Sequence, residues 1–329
     1  MSESSARVAV IAGAGGFIGS ALRDALTDDG YEVRTIGRSG PVRWGDADAI
    51  RDAVTGAELV VNLAGKSVNC RYTDENRDEI LRSRVDTTRQ LRDAIAASPR
   101  PPRVWFNAST GTIYRDALDR PQTEDDGEVG WGFSCDVARN WERAFFEGDL
   151  PATRRIALRI TIVLGDGPAT AMFLRLGRLG LGGPQFDGWW FRHRRYRGIG
   201  PDPSRDGFAT QRTRGRQKFS WIHIDDVIGA IRFLRDREDI AGPVNLATPE
   251  ATDNRGLMAA VRRAVGAPFG LPAWRFMIEP AMWLLRTESE LVFKSRWVQP
   301  RRLQDAGYRF RRTDLEAALR EIARGVSRR

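Results

Sequence analysis

The chain has 329 residues, a formal net charge of +9 and two cysteines. At ~150 residues per domain, this length predicts two domains, or one large α/β unit with an appendage. A composition of 41% hydrophobic and 29% charged residues excludes a disordered chain. No apolar run reaches the ~20 residues that span a bilayer, and the start lacks a signal-peptide pattern. With no cysteine framework either, we expect a cytoplasmic protein and no membrane partner.

The basic excess is concentrated in two segments. Residues 188–218 hold nine Lys or Arg against two Asp, and residues 294–329 hold eleven against four acids. A sequence pI near 10.3 would suggest nucleic acid if the charge were evenly spread. Because the excess is local, we do not expect a nucleic-acid partner. Arginine supplies all but three of the basic residues, which fits a GC-rich genome and also the recognition of phosphate or carboxylate.

The first motif is a strand followed by a glycine turn and a helix. Residues Arg7–Ala12 read RVAVIA, a run typical of a buried parallel strand, and glycines follow at G-x-x-G-x-x-G spacing. Such glycines let the backbone approach a pyrophosphate, and the helix N-terminus stabilises its charge. A tight turn that binds nothing is the alternative. We predict dinucleotide binding by Gly13, Gly16, Phe17, Ile18 and Gly19.

Two further strand ends extend the predicted cofactor site. Residues 32–36 form a strand that is followed by Arg38 and Ser39, where an NAD site usually has an acid. A guanidinium there matches a 2′-phosphate, so the sequence favours NADP(H); a solvated strand end is the alternative role of Arg38. Residues 57–63 contain a strand that ends in small residues, which adds Leu63, Ala64 and Gly65 to the site.

Strands that alternate with helices predict the fold. A long helix over 74–97 precedes a strand over 103–108, and the order predicts an α/β fold with a Rossmann-type, doubly wound parallel sheet. We predict an NADP-binding Rossmann domain in residues 1–165, completed by about 219–250. A substrate-side segment, 166–218, carries an Arg-rich insertion at 188–214. A smaller, mainly helical C-terminal substrate domain spans 251–329, with helical patterns over 252–285 and 314–323.

These motifs together resemble the extended short-chain dehydrogenase/reductases, and more narrowly their atypical epimerase family branch with a small C-terminal domain of unknown function. The glycine motif, residues 62–65, Ser109 with Tyr114, and residues 158–159 carry the broader resemblance. The narrower one rests on SRVDTTRQL at 83–91, RNWERA at 139–144, LRITIVLG at 158–165, GRQKFSWIHIDD at 215–226, GPVNLATPE at 242–250 and FKSRWVQPRRLQDAGYRFR at 293–311. It covers nearly the whole chain.

The chain departs from that family at its acid/base pair, Tyr-x-x-x-Lys. No tyrosine here has a lysine four residues later, and counting back from Glu142 places Ser134 at the tyrosine position and Ala138 at the lysine position. Ser109 matches the family's substrate-orienting serine, and Tyr114 lies in a loop expected to face the cleft. Two histidines and no local acid cluster predict no metal site.

The candidate catalytic residues each have a structural alternative. Ser109 would orient a substrate oxygen or cap its turn, and Tyr114 would donate a proton or pack as an aromatic ring. His223 would exchange a proton or fix a strand–helix junction by hydrogen bonds. The leading interpretation is an NADP(H)-dependent oxidoreductase or epimerase-like protein that acts on an unidentified small molecule. A non-catalytic NADP(H)-binding protein with a redox-sensing or regulatory role is the alternative.

The insertion at 188–214 mixes aromatic residues with arginines. Beside a cofactor cleft it would form a lid or a substrate wall, and its arginines would suit an anionic substrate. A solvated loop, or a contact in an oligomer such as a homodimer, is the equal alternative. Stacking on single-stranded bases is the third.

Overall fold

The computed structural model describes residues 7–191, 193–199 and 212–326. Parts of the predicted insertion (192 and 200–211) and the end of the basic tail lie outside the described residues. The described strands are β1 (Arg7–Ala12), β2 (Tyr31–Gly37), β3 (Val42–Arg43), β4 (Leu59–Asn62), β5 (Val104–Thr110), β6 (Arg154–Ile160), β7 (Ile162–Leu164), β8 (Gln185–Phe186), β9 (Lys218–Phe219), β10 (Trp221–His223), β11 (Gly242–Leu246), β12 (Thr252–Asp253) and β13 (Ala273–Trp274).

Helices follow most of these strands, as a doubly wound fold requires. They are α1 (Phe17–Asp28), α2 (Ala47–Val54), α3 (Asp74–Ala96), α4 (Phe133–Phe146), α5 (Pro168–Arg178), α6 (Ile224–Arg235), α7 (Asn254–Val265), α8 (Arg275–Leu284), α9 (Glu290–Phe293), α10 (Arg301–Asp305) and α11 (Leu315–Val326). No helix that the structure describes is long and apolar enough to cross a membrane.

Seven strands form one parallel sheet in the order β11-β6-β5-β4-β1-β2-β3. The order reverses between β1 and β4, and in such sheets ligands bind beyond the carboxyl ends of the strands at that point. The predicted Rossmann-type α/β fold is confirmed. The predicted domain boundaries stay predictions, although β11 does close the sheet from within residues 219–250.

Each face of the sheet is covered by its own layer of helices. Ala9 and Ile11 of β1 pack in one core with residues of α1 and α6, whereas Val8 and Val10 pack in another with residues of α2 and α3. Successive strand residues point to opposite faces, so an almost uniformly apolar β1 is what a strand between two layers needs.

The C-terminal part has a smaller core of its own, built from α5, α7 and α11. The helical pattern over 252–285 proves to be two helices, α7 and α8. Gly266 ends α7 in the left-handed conformation, with a φ of +73°, and β13 follows before α8 begins. A glycine at this place terminates a helix because it adopts positive φ without steric cost.

Candidate functional site

The glycine turn after β1 is packed against the turn after β4. Gly13 has a φ of +83°, and its N–H donates to the Ile36 carbonyl at 3.1 Å. A Cβ at Gly13 would lie 2.8 Å from the carbonyl carbon of Leu63, and one at Gly19 would lie 2.3 Å from the Gly13 oxygen. Because both contacts are with backbone, these two positions require glycine. Gly16, which precedes α1, is exposed, so the positive end of this helix is open to an anion.

Phe17 and Ile18 begin α1, and both are partly buried. A Cβ at Gly165 or Gly167 would lie 2.7–2.8 Å from the Phe17 ring, so two glycines after β7 make room for that ring. Ile18 packs against the core beneath the sheet. The start of α1 is therefore fixed in place beside the glycine turn.

The ends of β2 and β4 lie beside the glycine turn at the same edge of the sheet. We call this edge, with the residues predicted to bind the cofactor, the cofactor rim. Arg38 and Ser39 are exposed directly after β2, and Arg38 makes no hydrogen bond or ion pair with any residue that the structure describes. Residues 63–65 follow β4, where the Ala64 N–H donates to Asn62 Oδ1 at 3.1 Å. All the predicted cofactor residues thus lie around the carboxyl ends of β1, β2 and β4. Their contact with a cofactor stays a prediction.

A buried hydrogen-bond network, here called the Glu142 network, joins Ser109, Tyr114, Glu142, Arg159 and Asn245. Ser109 Oγ donates to Glu142 Oε1 at 2.6 Å, and Arg159 donates to both carboxylate oxygens at 2.8 Å. The Tyr114 hydroxyl accepts from Arg159 at 2.8 Å and donates to Asn245 Oδ1 at 2.9 Å. All five side chains belong to residues that are 9% exposed or less. The ion pair is therefore both buried and fully hydrogen-bonded, as buried charges need to be.

Burial and the Glu142–Arg159 ion pair shift the pKa values of Tyr114 and Arg159. Burial raises the pKa of the Tyr114 hydroxyl, and the neighbouring Arg159 offsets only part of that rise. Burial alone would lower the pKa of Arg159, but its hydrogen bonds to Glu142 and the charge of that carboxylate raise the pKa overall. The sequence predicts a Tyr114 that faces the cleft, whereas the structure buries its side chain between Arg159 and Asn245. The catalytic roles of Ser109 and Tyr114 stay predictions.

His223 lies outside the Glu142 network. It ends β10, which pairs with β7 rather than with the seven-stranded sheet, and its Nδ1 accepts the N–H of Asp225 at 3.2 Å as the N-cap of α6. Burial lowers the pKa of His223, which favours the neutral ring that accepts this hydrogen bond. The structure thus joins Ser109 to Tyr114 but gives His223 a separate place. Its acid/base role stays a prediction.

Ser134 and Ala138, which the sequence predicts to stand at the two positions of the missing Tyr-x-x-x-Lys pair, lie on α4. Ala138 is fully buried, in a small core that also contains Tyr114. Ser134 is partly buried, and its Oγ donates to Glu290 Oε2 at 2.8 Å. Glu290 is 2% exposed and belongs to α9, near the other end of the chain. A carboxylate from the C-terminal part therefore contacts the residue that is predicted to stand at the family's tyrosine position.

Two cations reach the same place from the residues after α9. Lys294 Nζ donates to the Thr112 carbonyl at 2.8 Å and lies 3.0 Å from Cys135 Sγ. Arg296 Nε donates to Thr112 Oγ1 at 3.1 Å, and burial lowers the pKa of Arg296. Asp116 lies nearby and accepts the Ser295 N–H at 3.2 Å. Burial raises the pKa of Asp116 to about 7, although Lys294 counteracts this rise.

Tyr72 and Arg84 complete the group. Tyr72 is 3% exposed, and its hydroxyl has no hydrogen-bond partner among the described residues. The Arg84 guanidinium lies 5.1 Å from the Trp141 ring centroid and 3.2 Å from where a Cβ would stand at Gly65. Burial lowers the pKa of Arg84 to about 10. We call this group the Glu290 cluster; it comprises Tyr72, Arg84, Asp116, Ser134, Glu290, Lys294 and Arg296.

The Glu290 cluster differs from the Glu142 network in its lack of ion pairs. No carboxylate oxygen among the described residues lies within 4.0 Å of the charged nitrogens of Arg84, Lys294 or Arg296. Sequence reasoning missed these cations and Glu290. One signal was present: only three of the 52 Lys and Arg residues are lysines, and one of them is Lys294. In the described ranges, no three His, Cys, Asp or Glu side chains are grouped so that they could hold a metal ion.

The parallel sheet, the required glycines and the exposed rim define a Rossmann-type nucleotide-binding protein of the short-chain dehydrogenase/reductase type. Residues 9–131 match the model of the NAD dependent epimerase/dehydratase family, and residues 275–322 match a domain of unknown function, DUF1731. The epimerase family protein SDR39U1 of Bos taurus is 31% identical over 320 residues, which cover 95% of this chain and 98% of that protein. The chain belongs to the NAD dependent epimerase/dehydratase family, as its motifs predicted.

Other relatives and solved structures agree with this assignment. The epimerase family protein YfhF of Bacillus subtilis is 26% identical over 94% of this chain and 96% of its own length. The crystal structure of human epimerase family protein SDR39U1 with NADPH has a TM-score of 0.79 at 28% identity, covering 96% of this chain and 99% of that one. MoeE5 in complex with UDP-glucose and NAD has a TM-score of 0.71 at 22% identity, covering 97% and 98%, and shares the fold alone.

Proposed function

We propose that this protein is an NADP(H)-dependent oxidoreductase that interconverts a carbonyl and an alcohol on a small anionic molecule. The observation that carries the catalytic part is the hydrogen bond of 2.8 Å from Ser134 to Glu290, at the position where the family's tyrosine is missing. A hydroxyl backed by a carboxylate can exchange a proton with a substrate oxygen, which is the task of the lost tyrosine.

The choice of NADP(H) rests on the rim of the sheet. Gly13, Gly16 and Gly19 would allow the pyrophosphate to approach the N-terminus of α1, and Arg38 with Ser39 would bind the 2′-phosphate. Arg38 is exposed and has no carboxylate partner among the described residues, and no acid occurs from 37 to 45. The human relative's structure contains NADPH, which supports the same choice. When bound, this cofactor supplies or accepts the hydride.

The chain's own residues would handle the proton. In the direction of oxidation, the Ser134 hydroxyl takes the proton of the substrate alcohol and passes its own proton to Glu290, along the hydrogen bond that it already donates, and the carboxylate releases that proton to solvent. The balance is one hydride and one proton removed from the alcohol, and reduction follows the same path in reverse. Arg84, Lys294 and Arg296 are cations without ion pairs in the described structure, and such groups mark functional sites. A carboxylate or phosphate on the substrate would compensate their charge.

Substitution of Glu290 and of Ser134 tests the proposed proton transfer. With NADPH and a panel of keto acids and phosphorylated aldehydes, Glu290→Gln and Ser134→Ala should each lower kcat by about 100-fold, because general acid catalysis contributes at least that much. The Kd for NADPH should stay within about twofold, since neither side chain belongs to the rim. Glu147→Gln, which removes an exposed carboxylate just after α4, serves as the matched control.

The second candidate is a non-catalytic NADP(H)-binding protein with a sensing role. One observation favours it: the protons of Ser109 and Tyr114, the two hydroxyls nominated from the sequence, are both donated within the Glu142 network. Tight NADPH binding without turnover of any panel member would favour this second candidate. Turnover that is equal in the unmodified protein and in both variants would contradict the proton path while leaving an oxidoreductase in place.

A further inference from the structure

A cavity of about 710 Å³ lies between described residues of the Arg-rich insertion and the start of α8. Its lining shares no residue with the cofactor rim, the Glu142 network or the Glu290 cluster. Aromatic rings form part of its wall. Phe186 and Trp274 lie 5.6 Å apart, and the rings of Trp274 and Phe276 stack at 6.4 Å with 20° between their planes. Trp274 is 45% and Phe276 63% exposed, so both present apolar surface to a ligand.

Four arginines also line this cavity: the buried Arg275, and Arg212, Arg214 and Arg255. The last three are the ones that matter for charge. Arg212, Arg214 and Arg255 are exposed, and these three make no ion pair with any residue in the described ranges. The single carboxylate of the lining, Asp187, already accepts the backbone N–H groups of Thr213 and Arg214 at 2.9–3.2 Å. The cavity therefore carries a net positive charge that its own lining does not neutralise.

The arginine side of the cavity is held in a fixed shape. Arg214 has a φ of +53°, which a residue with a side chain rarely adopts, and its carbonyl accepts from Arg255 Nε at 2.8 Å. Asp187 binds the N–H of the same residue from the other side. On the aromatic side, the buried Arg275 donates to the Gly188 carbonyl at 2.7 Å. Hydrogen bonds thus preorganise both walls before any ligand enters.

We propose that this cavity binds a small aromatic anion: a planar ring that carries a phosphate or carboxylate. The ring would stack on Trp274 and Phe276, and the anionic group would lie among Arg212, Arg214 and Arg255. A volume of about 710 Å³ suits one such molecule. A cation would be repelled by the arginines, and a neutral ring would leave their charge uncompensated. The site requires neither turnover nor NADPH, so it stands apart from the proposed reaction.

Calorimetric titration of the full chain with 1-naphthyl phosphate tests the proposal. Saturating NADPH is present throughout, so that the probe cannot occupy the cofactor site. We expect one bound probe per chain, held at least about tenfold more tightly than 1-naphthol or inorganic phosphate, because only the aryl phosphate uses both walls. Equal affinity for 1-naphthol, equal affinity for phosphate, or no binding at millimolar probe would each overturn the proposal.

Substitutions locate the probe within the cavity. Arg214→Gly removes one guanidinium and keeps the left-handed backbone, and Trp274→Leu removes one ring; each should weaken 1-naphthyl phosphate about tenfold. Arg216→Gln is the matched control, since Arg216 is exposed two residues further on but does not line the cavity. The affinity of this variant for 1-naphthyl phosphate should change less than about twofold. If Trp274→Leu proves unstable in a thermal melt, Phe276→Leu replaces it. Equal losses in Arg214→Gly and Arg216→Gln would refute the site, as would tighter binding of a single-stranded oligonucleotide.

Discussion

The Glu142 network is buried and the Glu290 cluster is mostly buried. Both are polar and lie close to the residues that follow β5, yet their hydrogen bonds and charges are satisfied to different degrees. Arg159 binds both oxygens of Glu142, and Ser109 donates to one of them. Glu290 receives one hydroxyl, from Ser134, while Lys294 and Arg296 beside it bind backbone carbonyls and a threonine. In the Glu142 network, the charges of Glu142 and Arg159 are therefore fully paired.

This difference separates a structural role from a chemical one. A fully paired network loses stability when any member is removed, and it has no free proton or charge to offer a substrate. A cluster that holds unpaired cations and an orphaned hydroxyl, by contrast, gains partners when an anion enters. Substitutions in each group would show whether the two respond in these two ways.

The largest effect is expected where the buried ion pair is broken. Glu142→Gln leaves the Arg159 guanidinium buried without its carboxylate, and this should lower the free energy of unfolding by about 3–5 kcal/mol. Arg159→Met should cost about as much, since it strands the carboxylate instead. Urea denaturation followed by circular dichroism measures both. The double variant should be more stable than either single one; if the losses simply add, the pair does not act as one unit.

Asp116, in the Glu290 cluster, should contribute to the pH dependence of stability. Because burial raises the pKa of Asp116 to about 7, above its unfolded value of about 3.9, the folded protein binds more protons between those limits. The contribution of Asp116 to the free energy of unfolding is therefore fully present below about pH 4. It is lost as the pH rises to about 7, and the loss amounts to at most about 4 kcal/mol. Asp116→Asn should remove that decline and be the more stable protein at pH 8.

Urea unfolding at pH 4, 5.5, 7 and 8 compares Asp116→Asn with the unmodified chain. Asp24→Asn, which changes an exposed carboxylate on α1, is the control and should follow the unmodified profile. Parallel profiles for Asp116→Asn and the unmodified chain would mean that the pKa of Asp116 is not raised in the folded protein.

The sequence predicts the cofactor rim because its parts are neighbours along the chain. Gly13, Gly16 and Gly19 stand in one strand–turn–helix unit, and alternation of strands with helices was enough to predict the parallel sheet. Helix ends followed as well: the pattern over 74–97 matches α3, Asp74–Ala96. The pattern over 252–285 failed to separate α7 from α8, although the sequence between them, GAPFGLP at 266–272, holds two glycines and two prolines, which are signals that end a helix.

The Glu290 cluster lay beyond such reasoning because its contacts join distant parts of the chain. Ser134 and Glu290 are 156 residues apart, and Cys135 and Lys294 are 159 apart. No periodicity or motif encodes a contact of that separation. For the same reason the sequence could name Tyr114 as a candidate but could not predict that Asn245, 131 residues away, accepts its proton.

A smaller effect is expected on NADPH binding when Arg38 of the cofactor rim is substituted. Arg38→Ala should weaken NADPH binding by about 1.5–3 kcal/mol, the cost of a hydrogen bond to a charged group, and should change NADH binding by less than about twofold. Fluorescence titration with each nucleotide measures the difference. Arg23→Ala, an exposed arginine on α1 whose partner is Asp24, is the control. Equal losses for the two nucleotides would show that Arg38 does not bind the 2′-phosphate.

The smallest effects are expected when one hydroxyl oxygen is removed from each group. They distinguish the Glu142 network from the Glu290 cluster most directly. Tyr114→Phe deletes the hydroxyl that joins Arg159 to Asn245, and two buried polar groups lose a partner, so the free energy of unfolding should fall by about 1–3 kcal/mol. Tyr72→Phe deletes a buried hydroxyl that has no partner among the described residues, and stability should stay level or rise by up to about 1 kcal/mol.

Urea denaturation of both variants gives the two stabilities, and NADPH-dependent turnover gives the functional counterpart. If the Tyr72 hydroxyl serves the substrate, Tyr72→Phe raises KM for the anionic substrate while it leaves stability intact, a separation that Tyr114→Phe cannot produce. A Tyr72→Phe variant as destabilised as Tyr114→Phe would mean that the Glu290 cluster is as fully bonded as the Glu142 network, and the distinction between a structural and a chemical group would fail.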